Sequence, residues 1–305
     1  MIIDNRRTAT GHLLALGTIL IWGTTYISTK ILLKDFTPIE ILFTRFIIGY
    51  IALLLIYPHR LKTKNFKEEL FFMGAGLCGI TLYFLLENIA LTYTLASNVG
   101  VIISIAPLLT AIFAHIFLDS EKIRPQFLAG FAVAIIGIIL IIFNGSFILK
   151  LNPLGDILAT LAAVVWAIYS VLIRKISEFH YNTIGCTRKI FLYGLLFIVP
   201  TFLFLDFHLD FSRFIKIPNL LNILFLGLGA SALCFVSWNW AVGVLGAVKT
   251  SVYIYIVPVV TIAASVIILH EKITIVAFLG TALTLAGLYI SERKTNIIVK
   301  KNDYN

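Results

Sequence analysis

Glu121-Lys122-Ile123 recurs 150 residues later as Glu271-Lys272-Ile273. The repetition extends outward from this pair. Upstream, Asn88, Ala90, Pro107 and Thr110 are matched by Asn239, Ala241, Pro258 and Thr261 at an offset of 151. Further upstream, Gly11, Trp22 and Lys30 are matched by Gly155, Trp166 and Arg174 at an offset of 144. Downstream, Gly130 and Gly137 are matched by Gly280 and Gly287, again at 150. Leu and Ile agree by chance in any apolar sequence, but Trp, Asn, Pro and a Glu-Lys pair in one order argue for duplication. The small changes of offset mark small loop insertions.

The duplicated sequence is apolar. Of 305 residues 60% are hydrophobic and 13% charged, against about 25% charged in an average soluble domain. This excludes a soluble globular enzyme, a disordered chain and a disulfide scaffold. Cys78, Cys186 and Cys234 lie in or beside apolar runs without Cys-x-x-Cys spacing, and read as small buried hydrophobes. Ten runs are long enough to span a bilayer: near 12–33, 39–57, 69–90, 94–118, 125–143, 153–173, 185–205, 219–241, 246–269 and 273–290. The first is too long for a cleaved signal peptide and ends in polar Thr24, Thr25, Ser28 and Thr29.

The expected fold class is therefore an all-α polytopic membrane protein of ten transmembrane helices. Residues 11–149 form a first five-helix repeat and 153–291 a second, with short tails at 1–10 and 292–305. Five is odd, so the second repeat enters the membrane from the opposite side. Such inverted repeats are common in secondary transporters, which bind substrate between the repeats near the midplane. Charge sets the orientation. With both termini inside, the inner segments hold 15 Lys and Arg residues and the outer segments 6, which predicts cytoplasmic termini in the plasma membrane. The net charge of +9 is explained by this topology, without nucleic-acid binding.

The stretch Ile21-Trp22-Gly23-Thr24-Thr25-Tyr26, followed by Lys30, Pro38 and Arg45, resembles the opening of EamA-type members of the drug/metabolite transporter superfamily. So does Ala90-Leu91-Thr92-Tyr93-Thr94-Leu95-Ala96-Ser97 leading to Pro107 and Glu121. The second copy repeats the pattern through Ala241, Gly246-Ala247, Pro258, Glu271, Gly280 and Gly287, but has Asn182 in place of Pro38 and Lys189 in place of Arg45. The resemblance covers residues 11–291 and implies export of amino acids, their derivatives, or other metabolites and drugs. It implies no cofactor.

Several residues are candidates for substrate contact. Trp22 and Tyr26 share a polar, aromatic face of the first span with Thr18, Thr25 and Thr29, and Trp166, Tyr169 and Ser170 take corresponding places in the sixth. Such faces can stack planar groups; the alternative is helix packing. Glu87, beside Asn88, is the clearest acid inside an apolar run, and ionisable residues there face a cavity or a partner. It suits proton coupling or a substrate amine, or else sits at the interface. Lys249 could meet a substrate carboxylate or snorkel to the surface. Asn98, Ser104, Tyr253 and Tyr255 could supply ligands, and Trp238 and Asn239 are weaker candidates. Pro107 and Pro258 sit mid-span and predict matched kinks beside the cavity. Arg45 is expected to bond helix ends or headgroups, and Glu121-Lys122 to cap a turn. Gly130-x-x-x-Ala134 and Gly280-x-x-x-Thr284 permit close helix packing, within the chain or in a homodimer. Asn144-Gly145-Ser146 reads as a tight turn.

The function expected from these features is alternating-access transport of small organic metabolites across the bilayer, in the export direction, with protons as a coupling ion. A passive channel or a non-transporting scaffold is the alternative. An enzyme is not expected, because His-Glu-x-x-His, Gly-x-Ser-x-Gly and a phosphate-binding loop are all missing from the sequence.

Overall fold

The computed structural model describes residues 2–94, 96–119, 121–143, 152–208, 210–269 and 275–292. Ten membrane-crossing segments account for nearly all of them. They are α1 (Ile2–Leu32), α2 (Pro38–Ile56), α3 (Phe66–Tyr93), α4 (Ala96–Ile103 and Ala106–Phe117), α5 (Pro125–Phe143), α6 (Pro153–Ser177), α7 (Thr183–Leu203), α8 (Ile217–Leu245), α9 (Ala247–Ser251, Val252–Tyr255 and Ile256–Leu269) and α10 (Ile275–Glu292). Five of these, α2, α3, α6, α7 and α8, are each continuous and apolar enough to cross a bilayer on length and composition alone. Helix α1 begins ten residues before its apolar run, because Asp4 to Arg7 continue the helix as a polar extension. Leu55, Leu161 and Leu196 point outward at 77%, 46% and 55% exposure, a surface suited to lipid and costly in water.

Local sequence sets the helix starts. Thr37 and Glu40 form a capping box ahead of Pro38, the Glu40 carboxylate accepting from the Thr37 N–H at 2.8 Å. Asn65, Asn152 and Asn182 cap α3, α6 and α7 with their side-chain oxygens. Asn182 is thus itself the cap, where the first copy has Thr37 as cap and Pro38 in the first turn.

Helix packing shows the internal symmetry. Helix α1 lies against α8 and α9 while its counterpart α6 lies against α3 and α4. Helix α2 lies against α8 while α7 lies against α3. Each repeat therefore wraps its first two helices around the third and fourth of the other. Helices α5 and α10 pack on one another at the side. Their matched glycines make this possible: a Cβ on Gly137 would sit 2.6 Å from the Gly280 carbonyl, and one on Gly287 2.6 Å from the Gly130 carbonyl. This contact lies inside the chain, so the small-residue pairs serve internal packing.

The symmetry includes irregularities. Helices α3 and α8 each contain a π-helical turn, Leu77–Leu82 and Phe225–Leu233. Helix α4 breaks after Ile103 and α9 tightens to a 3-10 turn at Val252–Tyr255, in each case just before the matched prolines Pro107 and Pro258. Such departures from regular helix expose backbone groups and recur at functional sites.

Candidate functional site

Six helices meet around a central cavity. Helix α1 contributes Trp22, Thr25 and Tyr26, α2 Arg45, α3 Tyr83, Phe84 and Glu87, α4 Ile103, α6 Trp166, and α9 Ile254 and Val257. Trp22 and Tyr26, like Tyr83 and Glu87, are four apart and share a helix face. The space enclosed is about 40 Å³, room for a few ordered waters and far below the ~300 Å³ of a small-molecule site. The centre is collapsed in this conformation.

The walls are aromatic. Trp22 meets Trp166 edge-on at 5.3 Å between ring centroids and Trp238 at 5.1 Å, and Tyr83 meets Trp166 at 4.8 Å. Trp22 Nε1 donates to the Ala230 carbonyl at 2.9 Å, within the π-helical turn of α8. Its repeat mate Trp166 is 3% exposed, and its Nε1 finds no acceptor among the described residues. The Trp238 Nε1, fully buried behind Trp22, has none either. A buried N–H without a partner is costly.

Two opposite charges share the cavity. Arg45 is 2% exposed; its Nε donates to Ser231 Oγ at 3.0 Å and its guanidinium lies 4.3 Å from the Phe84 ring centroid. Glu87 is 6% exposed, has the Tyr83 hydroxyl beside it, and leaves Oε2 without a hydrogen-bond partner among the described residues. Arg45 and Glu87 feel each other's field, yet they are not among the ion pairs within 4.0 Å. The acid thus faces the cavity inside the protein. Arg45 is the residue that sequence reading misplaced: it bonds neither helix ends nor headgroups, because position 45 lies at mid-helix in α2, on the face turned to α3 and α8. The central placement of both charges is peculiar to the first repeat. The mate of Arg45, Lys189, pairs with Glu69 at 2.6 Å away from the centre, and the mate of Glu87 is Trp238.

Other sequence candidates lie elsewhere. Asn88 donates to the Pro38 carbonyl at 3.3 Å, and the Ser104 hydroxyl to Gly100 at 2.7 Å, so both serve backbone joints. Tyr169 donates to Asn239 Oδ1 at 2.8 Å, and Asn239 in turn to Thr187 at 3.1 Å, a buried brace behind Trp166. Tyr253 shares a 2.6 Å hydrogen bond with His12 Nδ1, and Lys249 lies near that histidine, off the cavity lining. The side chain of Asn98, the Glu271-Lys272-Ile273 motif and the Asn144-Gly145-Ser146 turn lie outside the described residues.

Polar latches join the repeats at both faces. On one face Arg213, ahead of α8, forks onto Glu40 with both contacts at 2.9 Å, and Lys216 and Asn219 hold Asp35. On the face bearing the N-terminus, Arg188 donates to the Tyr57 and His59 carbonyls, and Tyr181 to Glu68 at 2.7 Å. Glu121 caps α9, accepting from the Ala247 and Val248 N–H groups at 2.8 Å each, and pairs with Arg174 at 3.4 Å.

The EamA-like transporter family model matches residues 9–143 and again 153–292. An uncharacterized transporter of Archaeoglobus fulgidus is 28% identical, over 93% of this chain and 97% of the relative. The uncharacterized transporter YyaM of Bacillus subtilis is 28% identical over 91% and 92%. A protein of Escherichia coli named "Probable amino-acid metabolite efflux pump" is 24% identical over 91% and 93%. A solved crystal structure superposes with a TM-score of 0.71 at 21% identity, covering 93% of this chain and 96% of that one, and shares the fold. Matched in both of its halves, the chain belongs to the EamA-like transporter family.

Proposed function

We propose that this transporter carries small amino-acid-like zwitterions out of the cell by alternating access, with Glu87 as the proton-coupling group. The observation that carries the reading is the pair Arg45 and Glu87, buried in the lining of one small cavity and not joined to each other within 4.0 Å. A substrate carboxylate suits Arg45, whose planar fork favours that geometry. A substrate ammonium suits Glu87, and the tryptophans suit an apolar or aromatic side chain. When no substrate is bound, a proton on Glu87 replaces the ammonium. The cavity must widen to admit substrate, and the latches at the two faces would then open in turn as the repeats 11–149 and 153–291 rock. Cytoplasmic termini in the plasma membrane follow from the basic inner segments, and the name of the E. coli relative agrees with the substrate class.

The test is counterflow in proteoliposomes preloaded with single amino acids, with and without a pH gradient. Saturable exchange for one compound, driven by the gradient in the parent and no longer in Glu87→Gln, is expected. Flux that neither saturates nor exchanges would favour a channel and defeat the carrier reading.

A further inference from the structure

A second, wider cavity lies away from the aromatic centre. It has a volume of about 740 Å³ and opens at the terminus-bearing face between α2, α7 and the connection from α2 to α3. Its floor is built from satisfied groups. Arg188, only 7% exposed, holds the carbonyls of Tyr57 and His59. Lys189 pairs with Glu69 and donates to the Leu61 carbonyl at 3.4 Å. These bonds fix the connection so that Arg60 and Lys62 line the cavity. Both are exposed, and neither has an ion-pair or hydrogen-bond partner among the described residues. With Glu69 already engaged, the cavity presents two uncompensated cations.

The other wall is apolar. Leu54 and Leu192 line the same cavity at 37% and 39% exposure, and Leu55 and Leu196 continue outward along the lipid-facing surfaces of α2 and α7. A phosphate bearing acyl chains satisfies both halves at once: Arg60 and Lys62 meet the phosphate oxygens, while the chains follow the leucines into the bilayer. A soluble phosphate would leave the leucine wall unused. We infer that this cleft binds the headgroup of one anionic phospholipid. Because α2 belongs to the first repeat and α7 to the second, the bound lipid bridges two bodies that the transport cycle must move.

The test is native mass spectrometry of the full chain released from phosphatidylcholine bilayers with and without phosphatidylglycerol. One phosphatidylglycerol per chain is expected to survive release. Arg60→Gln with Lys62→Gln should weaken its retention about tenfold or more, while Arg6→Gln with Arg7→Gln, on the same face, should leave it within about twofold. Equal loss in both pairs would reduce the site to general surface charge and overturn the inference, as would retention in the Arg60/Lys62 pair. Inorganic phosphate is expected not to displace the lipid at millimolar concentration; displacement would assign the site to a soluble anion. Unfolding in phosphatidylcholine alone should be unchanged in the glutamine pair, since both side chains are exposed. If that pair fails to fold, competition in the parent decides, and equal retention of phosphatidylcholine and phosphatidylglycerol overturns the proposal.

Discussion

Replacing Arg45 with Met tests whether the two central charges depend on one another. The change deletes the hydrogen bond to Ser231 and the stacking over Phe84, worth about 1–3 and about 0.5–2 kcal/mol respectively. It also leaves Glu87, 6% exposed, without its positive neighbour. Removing one partner of a buried charge pair costs about 3–5 kcal/mol in all, so Arg45→Met is expected to lose about that much. The charge component should be recoverable. In Arg45→Met with Glu87→Gln no buried charge remains uncompensated, and the double variant should be more stable than the sum of the single losses by about 1–3 kcal/mol. Unfolding titrations in mixed micelles at alkaline pH, where Glu87 has released the proton it carries in the empty carrier, are followed by tryptophan fluorescence and supply the four values of the cycle. Additivity within about 0.5 kcal/mol would refute the coupling and reduce the two residues to independent structural groups.

Four further outcomes follow from the same geometry. Gly287→Val should destabilise by about 1–3 kcal/mol, because its Cβ would lie 2.5 Å from the Ala134 backbone nitrogen. Gly17→Ala, whose Cβ meets nothing within 4 Å, should be neutral or slightly stabilising, both variants being read by thermal unfolding. Lys249→Gln should change transport by less than about twofold in counterflow, since Lys249 is off the cavity lining, where one uncompensated charge lost from a site would cost about tenfold or more. Hydrogen bonds from Asn219 and Lys216 hold the Asp35 carboxyl below its ordinary range. Its contribution to stability is therefore full above the unfolded value near ~3.9 and is lost as the pH falls through the lower folded value. Thermal unfolding of the parent should lose stability across that acidic window by more than Asp35→Asn does.

The membrane fold was legible because it rests on strong, repeated signals. Apolar runs of span length, the odd number of them per copy and the pairing of Trp22 with Trp166 and Pro107 with Pro258 all concern chain periodicity, which sequence carries directly. The centre was half legible. Trp22, Tyr26, Glu87 and Trp166 stand out because aromatic and acidic side chains on apolar helices need an inward-facing reason. Asn88, Tyr253 and Lys249 share that look, but their orientations depend on helix rotation and on partners distant in sequence, 50 residues away for Pro38 and 241 for His12. Arg45 was misread for the opposite reason. An arginine in an apolar helix is usually assigned to the surface because its long stem can snorkel. Its depth in α2 gave the available warning: eight residues into a 19-residue helix, the nearest helix end is about 10 Å away at 1.5 Å per residue. What decided the matter was Ser231 from the other repeat, a contact no local pattern records.

The most direct test of the account is a binding cycle between the Arg45 side chain and the substrate's carboxylate. Three of the four tryptophans, Trp22, Trp166 and Trp238, form the central cluster, so intrinsic fluorescence reports on the cavity. The amino acid active in counterflow and its carboxamide analogue are titrated into the parent and into Arg45→Gln. The account predicts that the parent prefers the carboxylate by about tenfold or more and that Arg45→Gln binds both compounds alike. An unchanged preference in Arg45→Gln would contradict the claim that this cavity reads its substrate through the buried charges.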